Sequence, residues 1–308
     1  MNQFHSRARA PSSSFSGVVC GLVAGLLTCT GAHASEGGGG AYPNGAETVG
    51  VAQLPPPGTY VMSYSSYYDA SRFNDADGDS SVPDFKVEAW AETARIIHVT
   101  DIKILGATWA QQMFIPLVDL SVDAAGAHGH KTGLGDITVN PMILSWDKGD
   151  NHWVVTMDIN VPTGRYDKQD MANIGRNYWT FEPVVAFTHA SPKGGLEASV
   201  KLMYDFNTRN KATDYTTGQE FHADFALAYT VGKWTAGADG YYYVQVTDDK
   251  QYGLKVGDDG FKGEALAFGP VVRYQAGKVP VWFQWQHEVM AHNRTQGDRF
   301  WIKAAFRF

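Results

Sequence analysis

His222 and Asp224 stand two residues apart in a run that alternates apolar and polar side chains, so both project from one face of a strand. A histidine beside a carboxylate can act as a base held by its orienter, the minimum of a hydrolytic site. Such chemistry also needs a nucleophile or a positioned water, and no serine offers itself as the third member. The simpler expectation is a hydrogen-bond network on an enclosed polar face. His128-Gly129-His130 spaces two imidazoles as a metal site would, yet no cysteine or acid stands beside them in sequence to complete it. Asp75, Asp77 and Asp79 resemble the first half of a calcium loop. Counting from Asp75, Ser80 takes the place of the required glycine and Lys86 that of the required glutamate. Both stretches are expected to be solvated loops. Gly133-Leu134-Gly135 precedes no helical pattern, which removes a nucleotide-binding reading. No catalytic residue, metal site or cofactor is expected.

The elements that position these residues are strands. Phe300, Ile302, Ala304, Phe306 and Phe308 fall on one face of the chain's end, and Trp301, Lys303, Ala305 and Arg307 on the other. Trp153 to Val161, Leu196 to Phe206, Phe221 to Val231 and Val281 to Val289 repeat the pattern. Candidate strands fall near 59–69, 84–98, 101–122, 133–146, 152–161, 178–190, 195–206, 219–231, 234–247, 263–275, 279–291 and 298–308. Many are longer than the 5–6 residues usual for soluble strands and reach the length of about 9–11 that spans a bilayer. The connections alternate long and short, with short ones at Thr100, Asp147–Asn151, Ser191–Gly194, Gly232-Lys233 and Gln275–Lys278. That rhythm belongs to a membrane barrel with both termini in the periplasm. Lipid offers no partner to backbone N–H and C=O groups, so strands can cross it only as a closed ring. The fold expected is all-β, a transmembrane antiparallel barrel of about 12 strands with short periplasmic turns and longer outer loops.

Taking the apolar face to lipid, the same parity assigns Trp90, Glu182, Glu197, His222, Asp224, Asp239, Tyr241, Tyr243, Gln284, Glu288 and Trp301 to the lumen as a tentative solute path. Glu88, Glu92, Asp158, Asp205, Lys86, Lys201, Arg273, Lys303 and Arg307 share that face by the same rule. Charges there can form a satisfied internal network or line a path, with the aromatics offering stacking surfaces to a ring-shaped solute. Trp153, Trp179, Phe206, Phe221, Trp234 and Phe300 lie near strand ends, as interfacial girdles require.

The start of the chain reads as a secretory signal: Arg7 and Arg9, an apolar stretch from Phe15 to Cys29, then Ala32-His33-Ala34 as the cleavage site. The apolar stretch is short for a membrane anchor, which takes about 20 residues. Thr28 before Cys29 disfavours a lipid-attachment site. The domains expected are a cleaved signal over 1–34, a disordered periplasmic segment over 35–58 and the barrel over 59–308. The segment, with Gly37–Gly40 and Pro55-Pro56-Pro57-Gly58, holds too little apolar surface to order itself. Both cysteines, Cys20 and Cys29, fall in the signal, so the exported chain would form no disulfide. The signal carries two of the 25 basic residues and none of the 32 acids, which leaves the remainder more acidic than the whole chain's net −7. That balance argues against a nucleic-acid partner.

The final Phe308 with Phe300, Ile302 and Phe306 before it resembles the targeting signal of outer-membrane proteins. It implies delivery by the barrel-assembly machinery to outer-membrane lipid in a Gram-negative envelope. Over most of 45–308 a family resemblance is carried by further motifs. They are Gly133-Leu134-Gly135-Asp136, Val161-Pro162-Thr163-Gly164-Arg165-Tyr166, Asn173-Ile174-Gly175 before Tyr178-Trp179, and Gly218 before His222 and Asp224. They continue with Gly240-Tyr241-Tyr242 before Gln245 and Asp248-Asp249, and with Gly269-Pro270 before Tyr274. Together these resemble the outer-membrane proteins of the phenol-degradation meta-pathway family. The resemblance implies a porin-like barrel for uptake of small hydrophobic or aromatic compounds, without cofactor, and it carries no catalytic residues. An outer-membrane hydrolase and a closed structural barrel are the alternatives.

Overall fold

The structure, a computed structural model, describes residues 36–308. The expected signal peptide, with Ala32 and Ala34, lies outside the described residues. After a single 3-10 turn at Glu36–Gly38, sixteen strands follow. They are β1 (Gly58–Phe73), β2 (Lys86–Ile104), β3 (Ala107–Ala124), β4 (Ala127–Leu134), β5 (Ile137–Lys148), β6 (Asn151–Val161), β7 (Thr180–Ala190) and β8 (Gly195–Asn207). Then come β9 (Tyr215–Thr216), β10 (Glu220–Val231), β11 (Trp234–Gln245), β12 (Lys250–Gln251), β13 (Leu254–Lys255), β14 (Glu264–Ala276), β15 (Val279–His292) and β16 (Thr295–Arg307). Twelve of them, all but β4, β9, β12 and β13, form a closed antiparallel ring, because β1 pairs with β2 on one side and with β16 on the other. Closure leaves no strand edge, the condition for crossing lipid.

The short and long connections segregate to opposite ends, as the sequence rhythm requires. Two strands depart from expectation. β2 runs through Thr100 with a register shift between Val99 and Lys103, and the chain reverses at Leu105-Gly106, both in the left-handed region. The long loop expected over 123–132 is instead the hairpin β3–β4, turned at Ala125-Gly126 with positive φ at both residues. Successive positive-φ residues match the twist of a tight hairpin.

The ring presents an outward apolar band. At the loop end it is bounded by one continuous aromatic level, in which Trp285 pairs with Phe300, Phe300 with Tyr67 and Tyr67 with Trp90. The Tyr67 and Trp90 rings lie 4.5 Å apart. Immediately beyond it Asp69 pairs with Asp298 and with Glu88, where the surface turns polar. At the turn end Trp146 pairs with Trp153 and Trp153 with Phe187, while Trp234 meets Tyr274. These two levels are the girdles that headgroup regions select.

Trp90 therefore belongs to the girdle, not to the lumen: it is 59% exposed on the outer face. Lys86, Glu88 and Glu92 share its outward parity, so the rule that charge points inward fails over the first half of β2, while Arg95 further along the strand does point inward, to Glu47 and Tyr64. The reason is packing. Val87 and Ala89 face inward onto an apolar cluster with Tyr68, Phe73 and Phe85 under the loop between β1 and β2. Glu92 accepts hydrogen bonds from the hydroxyls of Ser63 and Ser65 on the outside.

The segment 36–57 departs furthest from expectation. It is ordered and threads the ring from the loop end to the turn end, where it enters β1. It orders itself by hydrogen bonding its backbone to the polar wall, a route that needs little apolar surface.

Candidate functional site

The functional region is the lumen with its internal segment. At the loop end, Glu36 accepts hydrogen bonds from Thr213 (2.6 Å), Tyr166 (3.1 Å) and Asn210 (2.7 Å). Midway, Asp224 gathers three donors: the Tyr42 hydroxyl (2.5 Å) and the amides of Gly45 and Glu47 (3.0 Å each). The Gly45 carbonyl accepts from Gln284 and Gln286, and Lys303 donates to the Ala46 carbonyl at 2.7 Å. Gly45 has φ of 76°, and an added Cβ would lie 2.2 Å from the Gln286 side chain. Only glycine fits that seat. Toward the turn end Gly50 donates to Ser199 and Ala52 to Thr188.

Among the lumen residues expected from parity, Glu182, Glu197, His222, Asp224, Asp239, Tyr241, Tyr243, Gln284, Glu288 and Trp301 are all buried inside the ring. They hold the segment or one another, and do not line an open bore. Arg273 pairs with Glu197 at 2.9 Å, Tyr241 donates to Glu288 and Tyr243 to Glu220. His222 and Asp224 do not form the base and orienter pair. His222 bonds Asn44 through Nδ1 (2.6 Å) and approaches Asp205 through Nε2 (3.1 Å), whereas Asp224 serves Tyr42, Gly45 and Glu47. The sequence reading missed Tyr42, Asn44, Gly45 and Glu47 because it took their segment as a tail. It missed Glu220 because that residue opens its strand, ahead of the clear alternation.

At the turn end a cavity of about 330 Å³ lies between segment and wall. Tyr60, Tyr64, Trp282, Met62 and Ile97 give it an aromatic and apolar lining. Arg95, Arg273, Lys278, Lys303 and Arg307 outnumber its one acid, Glu47.

The outer loops explain the glycine motifs. Asp136 accepts the amides of Gly164 (2.8 Å) and Arg176 (2.7 Å), drawing two loop stretches together. A Cβ on Gly175 would lie 2.5 Å from the Gly164 carbonyl, so the crossing excludes side chains. His128 pairs with Asp123 and His130 with Asp119 on the exposed hairpin, each as a single acid–imidazole contact. Asp75 caps its own loop by accepting the amides of Asp77 and Asp79.

Asp249 fastens the small sheet of β9, β12 and β13 at the loop end, accepting from the Tyr215 hydroxyl, the Gly218 amide and Gln245. Burial pushes its carboxyl from 3.8 up to about 7, against those hydrogen bonds. A raised acid favours the folded state fully below its unfolded value and loses that contribution as pH rises through 7. The amides of Tyr215 and Gly218, corrected for intrinsic exchange, should therefore be better protected at pH 5.5 than at pH 8. The difference should vanish in Asp249→Asn; a wild type with equal protection at both pH values would contradict it.

No curated protein matches the chain. Among solved structures, an outer membrane channel from Pseudomonas putida F1 superposes with a TM-score of 0.75 at 18% identity, over 84% of this chain and 98% of that one. The β domain of the Bordetella autotransporter BrkA gives a TM-score of 0.48 at 11% identity, over 82% and 99%. At the first of these identities the likeness is one of fold, a Gram-negative outer-membrane barrel. A family model described as "Putative MetA-pathway of phenol degradation" matches residues 70–304, most of the chain, and the protein belongs to that family.

Proposed function

We propose that the protein is a passive outer-membrane channel for small hydrophobic or aromatic compounds, with residues 36–57 as a plug that shifts to let them pass. The observation that carries this reading is the turn-end cavity, in which aromatic and apolar side chains stand beside a surplus of cations. Such a lining suits a ring with a hydroxyl or carboxylate: the faces stack, and the guanidinium and ammonium groups meet the polar end. The family's link with phenol degradation agrees with that chemistry. In this reading the signal peptide is cleaved after export, the barrel-assembly machinery inserts the chain, and outer-membrane lipid surrounds it. Neither cofactor nor energy source is required.

The test is uptake of labelled benzoate and phenol into liposomes that hold the protein, against a sugar of similar size. Uptake of the aromatics at least several-fold above the sugar is the expected result. Equal or absent uptake of all three would refute it. A second reading, a closed structural barrel, is favoured by the extent to which the segment fills the lumen. Absence of conductance under every condition would select it.

A further inference from the structure

Four carboxyls form one row across neighbouring strands on the lumen face. Asp158 pairs with Glu182, Asp205 pairs with Glu220, and the β7–β8 register set by Phe181 and Phe206 puts Glu182 opposite Asp205. Like charges directly opposite one another are destabilising, and these are buried as well. Lys201 reaches one end of the row, 4.0 Å from Asp158 and 3.9 Å from Glu182, and the Arg294 guanidinium lies over Tyr243 near Glu220 at the other. Asp205 Oδ1 and both carboxylate oxygens of Glu182 receive no hydrogen bond from an amide, amine or hydroxyl among the described residues; Asp205 is within hydrogen-bond reach only of the neighbouring carboxyls of Glu182 and Glu220 and of His222, and both residues are nearly inaccessible.

His222 completes the arrangement. The Asn44 side-chain oxygen can only accept, which puts the imidazole proton on Nδ1 and turns the lone pair of Nε2 toward Asp205 Oδ2 at 3.1 Å. Two acceptors facing at that distance need either a proton or a metal ion between them. Candidate ligand atoms of Asp205, Glu220 and His222 all lie within 4.8 Å of one another. Ligands bound at about 2.0–2.2 Å from a first-row metal ion stand roughly 3.0–3.5 Å apart, close to the His222–Asp205 separation. An oxygen that accepts from the far ring nitrogen, as Asn44 does here, is the usual accompaniment of a ligating histidine.

We propose that Asp205, Glu220 and His222 Nε2, with Glu182 beside them, form a lumenal binding site for a divalent transition-metal ion of the zinc class. One imidazole and several carboxylates suit such an ion better than calcium or magnesium, which prefer oxygen alone. Because Asn44 lies on the internal segment, occupancy ties that segment to the wall.

The test uses the detergent-solubilised exported protein, stripped with chelator and titrated with Co²⁺ as a spectroscopic stand-in for zinc. One equivalent should bind with visible absorption bands, and Zn²⁺ should displace it. His222→Ala and Asp205→Asn should each lose binding by at least tenfold, with folding confirmed by the heat-dependent gel mobility of the barrel. Asn44→Ala, which leaves every ligand in place, should weaken binding less. Failure of the wild type to bind stoichiometrically would overturn the site, and so would undiminished binding by folded His222→Ala and Asp205→Asn; a shared proton would then bridge His222 and Asp205. The readout is independent of conductance, so either result leaves the channel reading where it stands.

Discussion

Deleting residues 36–57 is expected to turn a quiet barrel into a conducting one, raising single-channel conductance by roughly an order of magnitude. A ring of about eight strands is filled by its own side chains, whereas twelve enclose room for more. Here that room is occupied by the segment: Glu36 fastens it at the loop end, Asp224 and Lys303 midway, and Ser199 and Thr188 toward the turns. None of these contacts belongs to the strand ladder that closes the ring, so the barrel should survive the loss. The wall would then expose its acidic row and its Arg95, Arg273 and Lys303 cations to water, and a wet, charged bore conducts. A complementary variant avoids the deletion. Ala52→Cys with Thr188→Cys joins segment and wall where the Ala52 amide and the Thr188 hydroxyl are 3.1 Å apart. Both native cysteines lie in the first 34 residues, so no other thiol competes in protein prepared from residue 35 onward. Oxidation should silence aromatic uptake and reductant should restore it. Uptake that ignores the crosslink, together with a deletion that does not conduct, would mean that solutes do not pass through the lumen.

The ring was legible in the sequence because period-two alternation and loop rhythm both follow from one constraint, the absence of hydrogen-bond partners in lipid. Trp153, Trp234 and Phe300 could be placed at the girdles from the same alternation. Parity gave ten of the buried lumen residues in the same way and failed at Trp90, where apolar packing under an outer loop turns Lys86, Glu88 and Glu92 to the outer face of the first half of β2. The segment 36–57 was illegible for a different reason. Glycine, proline and polar residues give no periodicity, and the partners that order Gly45 and Glu47 lie about 180 residues away on Asp224. Local composition describes what a stretch can bury by itself, and says nothing of a polar cavity prepared by distant strands. Asp205 and Glu220 were obscured by register. Asp205 reads alone as one more lumen acid and Glu220 not at all, and only strand pairing shows them side by side.

Asp224→Ala should unseat the segment without opening the ring. Its two oxygens take the Tyr42 hydroxyl and the amides of Gly45 and Glu47, and Lys201 stands opposite on β8. A hydrogen bond to a charged group is worth about 1.5–3 kcal/mol, and removing the acceptor leaves buried donors unpaired. The three are not additive, and breaking a buried charged contact costs about 3–5 kcal/mol as a whole. At roughly 1.4 kcal/mol per factor of ten, the unseated population rises by about a hundred- to a thousandfold. Amide exchange at Gly45 and Glu47 should accelerate by that factor, and opening events should become frequent in bilayer recordings. Exchange in β8, β10 and β11 should hold, because the ladders from Glu220 to Val231 on both sides do not involve the side chain. Asp224→Asn keeps one acceptor oxygen and should fall between the two. If Gly45 and Glu47 stay as protected in Asp224→Ala as in the wild type, the segment is held by its ends, at Glu36 and Ala52, and the midpoint is no latch. If β10 loosens along with the segment, the segment is part of the barrel's own core, and a gate built on its movement would have to move the wall.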